Sequence, residues 1–508
     1  TILKFFSSAK DVDTPIETFF IQRHAEQDKE EKLRREKWTD FAENSTLHGF
    51  HFIFTRASPW VRLVWIFFLL GFTAYVIFSI YSSIYKYFTY PTATVMNIYH
   101  PQEGLQFPAV TLCPMTTLSK RRISMKDEEP SFNKLGLNIA ACNTTAAVRA
   151  GRPCGEALLC CCTDYTDSEI SVVLPNCTED YRKDLLEVIK KKKDSFNDRQ
   201  FHEAYGSDIR RMIVPGTCHY GLSDEGCSHK DFDPIVTDLG VCYSFNAARH
   251  GEQILKAFQG DTLSGLSLIL DLNLHDHMVG FSSEGIWIIV HHQGVYINPW
   301  NRILVAPGTR TEISVKRKVY RNKKPPYETK CSETIHLAGY QMYTSEGCYT
   351  ECLSNATLRK CGCRSPSDSV NFGDRVCFRE DVSCTNSVIN DMFEGTIKCD
   401  CRLACDAINY ESTVSSAVFP NPTMIKILQN KGYNRTNEYL RKNLVFLQVG
   451  YNSLSYEYFR QTSQYDSGAL MGEIGGNLGL FLGCSILTIF EFVDFAIYLC
   501  RTRIKKKS

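Results

Sequence analysis

The chain has 508 residues, 44% of them hydrophobic and 22% charged, and its 57 basic and 56 acidic side chains leave a formal net charge of +1. That length holds one large domain or several smaller ones, and the charge balance gives no reason to expect a nucleic-acid partner. Cysteine usage is more selective: 20 of the 22 fall between Cys113 and Cys405, and only Cys484 and Cys500 lie beyond.

Residues 1–61 read as a cytoplasmic segment. Within it, HAEQDKEEKLRREKW (24–38) has the pattern of an exposed charged helix, and His48-Gly49 in STLHGFHFIF reads by itself as a turn. No charge interrupts Leu63 to Tyr85, a run suited to a hydrocarbon core of ~30 Å, so residues 62–86 are the first expected span. Arg56 and Arg62 precede it and put its N-terminal side in the cytoplasm. About sixty residues come before a run too long for a signal core, so no cleavable signal is expected.

Residues 87–466 are then expected outside the cell. An even number of cysteines confined to this segment fits an oxidised compartment, as do glycosylation sequons at Asn143, Asn176, Asn355 and Asn434; Asn44 matches the pattern but is expected bare. LQFPAVTLC (105–113) reads as a strand with Pro108 near its start. Residues 114–241 look irregular and partly helical, with a basic-faced helix candidate at 184–201 and six cysteines between Cys142 and Cys177. Those six suggest a small stapled insert, with a zinc cluster as the alternative that the compartment disfavours. From Gly240 to Val315 the pattern is mainly strand, in GVCYSFN, LSLILDLN, GIWIIVHH and TEISV. His291 and His292 close one of these strands and read as structural surface histidines, metal binding or proton sensing being the alternatives. Ten cysteines follow in 331–405; Cys348-xxx-Cys352 and Cys401-xxx-Cys405 have one-turn spacing, which two helices stapled side by side would explain. The Cys361-x-Cys363 pair resembles metal ligands, yet the compartment again favours disulfides. NLVFLQVGYNSL (443–454) is the last strand pattern.

The second expected span, 467–500, departs from a passive anchor. Gly468, Gly472, Gly475, Gly476, Gly479 and Gly483 fall within about 100° of one face of a continuous helix. Glu491 and Asp494 sit deep in the apolar run, where each acid costs roughly 2.5–3.5 kcal/mol at the bilayer centre. Glycine packing between helices leaves the acids unexplained; a helix lining a wet passage accounts for both. The basic tail 501–508 belongs in the cytoplasm, so both ends of a two-span chain are inside. No nucleophile motif, phosphate loop or helical His pair is present in the sequence, so no enzyme, metal or cofactor is expected.

Several stretches together carry a family likeness: FPAVTLC (107–113), DIRRM (208–212) before CYSFN (242–246), the C-x-C and C-x-C-xxx-C cysteine block, and GEIGGNLGLFLGCSILTIFEFVDF (472–495). They resemble the degenerin/epithelial sodium channel family, and within it the acid-sensing ion channels, over His48 to Asp494. The resemblance implies an α+β membrane protein: two transmembrane helices flanking a large disulfide-rich extracellular domain. That domain has a β-sheet core with helical finger (114–241) and thumb (331–405) regions, and the channel is a trimer. It implies a selectivity filter at Gly483-Cys484-Ser485, where the last helix is interrupted and an extended segment joins the helix of a neighbouring subunit. It implies a re-entrant gating element at His48-Gly49, a gate or degenerin position at Gly468 or Ala469, and pore acids Glu473, Glu491 and Asp494. The disulfides it implies are Cys113–Cys242, Cys218–Cys227, Cys331–Cys405, Cys348–Cys401, Cys352–Cys399, Cys361–Cys384 and Cys363–Cys377, with three more in 142–177.

Departures bear on gating. The His pair and acid of acid-sensing members fall where Pro91, Thr92 and Asn97 stand, and the acidic pair after the central strand is reduced to His-Asp-His at 275–277. The expectation is a plasma-membrane, sodium-selective, amiloride-sensitive channel, homotrimeric or heterotrimeric with related subunits. An extracellular peptide or other small organic ligand, read by the finger, opens it. The alternatives are a proton-gated or constitutively open channel, a non-conducting receptor ectodomain, and an ATP-gated two-span channel whose motifs are not matched.

Overall fold

The structure, a computed structural model, describes residues 32, 35–54, 58–115, 119, 122, 203, 206–221, 226–237, 239–248, 252–262, 264–276, 283–333, 335–364, 377 and 381–505. The cysteine-rich insert 142–177, the helix candidate 184–201, His277, Asn143 and Asn176 lie outside them. The chain divides into two compact units, Thr94–Gln461, and Thr1–Ala93 together with Thr462–Ser508.

The larger unit is built on two sheets. Its strands in chain order are β1 (Thr92–Tyr99), β2 (Leu105–Gln106), β3 (Ala109–Pro114), β4 (His219–Tyr220), β5 (Phe232–Thr237), β6 (Gly240–Phe245), β7 (Lys256–Ala257) and β8 (Leu266–Asp271). They continue as β9 (Ile286–His291), β10 (Arg302–Val305), β11 (Thr309–Arg321), β12 (Asp406–Val418), β13 (Leu444–Tyr451) and β14 (Tyr456–Ser463). One sheet runs β1-β14-β11-β13-β8-β4 with β12 also on β11, and the other runs β10-β9-β3-β6-β5. The largely apolar β3, β6 and β9 are buried along almost their whole length, as expected of strands covered on both faces, with the buried Thr111 hydroxyl donating to that of Ser244 at 3.0 Å. In β11 the pattern alternates, with Thr311, Ile313 and Val315 buried and Lys316 and Lys318 on the other face. Leu112, Leu268, Leu270, Ile288, Val315, Leu447 and Tyr451 meet in the shared core. The first half of β11 pairs in parallel with β13 and its second half with β14. Pro108, which has no N–H to donate, sits in the gap between β2 and β3.

His292 is not a surface residue, and His291 is half-buried. His292 is buried, its Nδ1 accepting the Gln293 backbone N–H at 2.9 Å, and the His291 Nε2 lies 2.7 Å from the Thr111 hydroxyl. They hold the end of β9 against its neighbours.

The cysteine block also departs from its sequence reading. Cys348 and Cys352 lie on helix α4 (Ser345–Cys361), but Cys399, Cys401 and Cys405 lie on non-helical chain. The structure joins Cys348 to Cys401 and Cys352 to Cys399. Four helical residues rise about 6.0 Å and two extended residues advance about 6.7 Å, so i, i+4 on a helix matches j, j+2 on an extended partner. Helix α5 (Val382–Phe393) is tied to α4 by Cys361–Cys384. Cys113–Cys242, Cys218–Cys227, Cys331–Cys405 and Cys363–Cys377 are the other disulfides among the described residues. Asp381 stands beside the last of these, but its two sulfurs are bonded to each other and leave no metal ligand.

The smaller unit holds helix α1 (35–44), α2 (Phe50–Phe54), α3 (Pro59–Phe88), α8 (Ser467–Asn477) and α9 (Ile486–Lys505), while α6 (Pro422–Asn430) and α7 (Asn437–Asn443) belong to the larger one. Helix α3 has 30 residues, about 45 Å. Only Val76 and Ser83 along it are buried, and side chains such as Trp60, Phe67 and Phe78 are exposed. It is long and apolar enough to cross a membrane, and the last apolar run passes the same test only as a broken pair bent by 71°.

Candidate functional site

The break in the last run is where chemistry gathers. Helix α8 starts on Asp466, whose carboxylate accepts the Ala469 N–H at 2.8 Å, a regular N-cap. Gly468 and Ala469 occupy that first turn and are exposed. A methyl group added at Gly472, Gly475 or Gly476 would meet nothing within 4 Å, so the glycine stripe faces open space in the single chain. Asn477 donates from Nδ2 to the Ser79 hydroxyl of α3 at 2.8 Å, an interhelical bond of the kind that joins apolar helices. Glu473 is exposed and accepts from the Tyr465 hydroxyl.

Leu478–Leu482 then widen into a π-helical turn, and Gly483 leaves the helix with φ +62°. Gly483 therefore does not continue the stripe that a straight helix predicts. Its left-handed backbone is one that glycine adopts without penalty. Ser485 restarts the chain as the cap of α9: Thr488 N–H donates to the Ser485 carbonyl at 3.1 Å, and Ser485 N–H to the Thr488 hydroxyl at 3.0 Å. Cys484, a free thiol, is half-buried between them.

The His48-Gly49 turn lies against this break. His48 N–H donates to the Leu482 carbonyl at 3.0 Å, and the space a Gly483 Cβ would need is taken by the His48 ring, 2.0 Å from Nδ1. Gly49 has φ +84° and sits under Trp65 of α3, whose ring would come within 2.9 Å of an added Cβ; Phe52 stacks on the same indole at 4.7 Å. One residue pair thus packs on both α3 and the break between α8 and α9. Thr46 extends the contact: its hydroxyl lies 2.6 Å from that of Thr488, and its N–H donates to the Glu491 carboxylate at 3.3 Å. Phe41 of α1 stacks on Phe495 at 4.1 Å and meets Phe492 edge-on at 5.1 Å. Asp494, on the same helix, is exposed.

Thr46, Thr488 and Trp65 were not singled out in the sequence. The spacing Ser485-x-x-Thr488-x-x-Glu491 did hold a signal, since residues three apart share a helix face, but nothing in it names a partner 442 positions away. Of the described sequons, Asn434 is exposed, whereas Asn355 lies within α4 and accepts from Arg364 at 3.1 Å.

The family model described as amiloride-sensitive sodium channel matches residues 41–495. Acid-sensing ion channel 2 of Danio rerio is 27% identical over 502 residues, covering 92% of this chain and 85% of that one. Acid-sensing ion channel 1 of Gallus gallus is 27% identical over 483 residues, with 92% and 85% covered. The bile acid-sensitive ion channel of Homo sapiens is 26% identical over 474 residues, with 90% and 85% covered.

Proposed function

The chain belongs to the amiloride-sensitive sodium channel family, a family of ion channels and not of enzymes, and from that membership we propose a sodium-selective channel of the plasma membrane opened by an extracellular ligand. Three copies surround the pore, α3 and the α8–α9 pair span the bilayer, residues 87–466 lie outside, and both termini are cytoplasmic. Gly483, Cys484 and Ser485 form the filter, Gly468 and Ala469 the gate, and His48-Gly49 the support beneath the filter. The observation that carries this reading is the break at Gly483, where the helix stops, a left-handed glycine takes over and His48 fills the space behind it. Such a turn takes backbone carbonyls out of the regular helical ladder, and carbonyls are the ligands a selectivity filter offers a cation; that of Ser485 stays bonded to the Thr488 N–H. The open space beside Gly472, Gly475 and Gly476 supports close approach of further copies there.

For the stimulus we favour a peptide or other small organic ligand read by residues 114–241, because Pro91, Thr92 and Asn97 offer no titrating side chain. Proton gating is the second reading: two relatives are acid-sensing by name, and Asp276 accepts the Ser119 hydroxyl at 2.6 Å in the stretch where an acidic pair is usual. The test is current from cells expressing this chain alone, with acid and peptide pools applied separately. Sodium-selective, amiloride-blocked current evoked by peptide is the expected result. Robust acid-evoked current with no peptide response would transfer the assignment to protons, and surface-expressed trimers without any current would remove the channel reading.

A further inference from the structure

A cleft of about 560 Å³ opens in the larger unit, between the chain at 101–106 and the sheet of β11, β12 and β14. Strand alternation explains its chemistry. Lys316 and Lys318 point to one face of β11 and are neutralised there, Lys316 by Glu457 and Lys318 by Glu411 at 2.8 Å. Arg317, Val319 and Arg321 take the other face and line the cleft together with Tyr456 and Tyr458 of β14 and Ile408 of β12. Arg321 is paired with Asp406. Arg317 is not: it has no acidic partner among the described residues, and its Nε is buried with no hydrogen-bond acceptor. Its guanidinium stands 5.6 Å from the centre of the Tyr456 ring. Lys256 adds a third cation to the lining, which holds the single acid Glu103.

The Arg317 charge has no paired acid at the cleft wall, and a partly buried charge without one is costly. An aromatic and aliphatic wall beside it is the usual form of a small-molecule site, apolar with a few fixed polar groups. We propose that this cleft binds an organic anion, a carboxylate carried on an aromatic or aliphatic body. The carboxylate pairs with Arg317 in the planar geometry that guanidinium favours, and the body lies on Tyr456, Tyr458, Val319 and Ile408. None of its lining residues falls within 114–241, and the proposal does not depend on which stimulus opens the pore. Its strand β14 ends at Ser463, and α8 begins at Ser467, so an occupant bears on chain that leads into the second span.

The experiment uses the full chain purified in detergent and 3-(4-fluorophenyl)propionate as probe, followed by fluorine NMR line broadening, with the uncharged propionamide as its control. Saturable binding of the carboxylate and not of the amide is expected. Arg317→Gln should weaken it by about tenfold or more, the loss typical of one charge-assisted contact, and Arg317→Lys should fall between. Tyr458→Ala, which keeps the charge, should also weaken binding and serves if Arg317→Gln does not yield folded channel. Equal binding by Arg317→Gln and the parent chain would overturn the proposal. So would a parent chain that fails to bind while Arg317→Gln destabilises the channel, since Arg317 would then be closed by an acid of a second copy.

Discussion

Gly483→Ala is the sharpest perturbation available. Two separate penalties are fixed by its position. The first is backbone: φ is +62°, and holding an L-residue there costs roughly 1–2 kcal/mol. The second is space: the new methyl would sit 2.0 Å from His48 Nδ1, so the ring or the break must move, and overpacking of this kind costs about 1–3 kcal/mol. Together they reach about 2–5 kcal/mol, or roughly 30- to 4,000-fold in the population of the docked arrangement. Sodium current per surface channel should therefore fall steeply. Combining the change with His48→Ala should recover the spatial part and leave the backbone part, a coupling of about 1–3 kcal/mol in a double-mutant cycle. The cycle is read in the thermal midpoint of detergent-extracted channel, because His48→Ala can itself reduce current. A Gly483→Ala channel with parental current, sodium/potassium preference and midpoint would refute the reasoning, as would a His48→Ala background that recovers nothing.

Thr46→Val and Thr488→Val each remove one hydroxyl of the same close pair. Each should lower the midpoint by an amount equivalent to about 0.5–1.5 kcal/mol, and the double variant should be less destabilised than the sum of the singles. Burial holds His292 below the ordinary histidine value, with Arg317 adding to the effect and Gln293 opposing it. The native state then stays neutral where the unfolded chain takes up a proton, so stability is lost as pH falls through about 6.5. His292→Gln should flatten the fall in melting temperature between about pH 7 and 5, and an unchanged slope would count against a neutral buried imidazole. The Cys348–Cys401 and Cys352–Cys399 rungs enclose a ring of only about eight residues, so losing either alone should cost ~2.5 kcal/mol. Losing both opens the larger loop as well, and the melting shift of the double Cys352→Ser, Cys348→Ser variant should exceed the sum of the two.

The strands were legible because burial on both faces writes an unbroken apolar run, as in IWIIVH of β9. His292, one residue beyond β9, is buried although the strand's last residue is only half-buried, and neither its polarity nor the strand pattern marks it. The cysteine block shows a different limit. A four-residue spacing is shared by a helical turn and by many extended segments, so Cys401-xxx-Cys405 could not choose between them. The neighbouring Cys399-x-Cys401 pair could, because alternate residues of an extended chain face one way. Reading the shorter period first would have given a helix stapled to a strand-like segment.

The membrane site divides along similar lines. An apolar run with glycines and acids marks itself as a span with something to do, and the left-handed turn at Gly483 lies where the family likeness placed an interruption. The two acids of α9 differ in their surroundings. Glu491 and Asp494 look equivalent in sequence, each an unexplained charge in apolar surroundings. In the fold Glu491 accepts from the Thr46 backbone N–H and lies within reach of its hydroxyl, so protein donors offset part of its desolvation. Asp494 is exposed. Of the two acids in α9, Asp494 has no such donor among the hydrogen bonds described. Glu491 takes part in the joint between the segment before His48-Gly49 and the last helix, and the reason this could not be read in the sequence is that its donor, Thr46, stands 445 positions away.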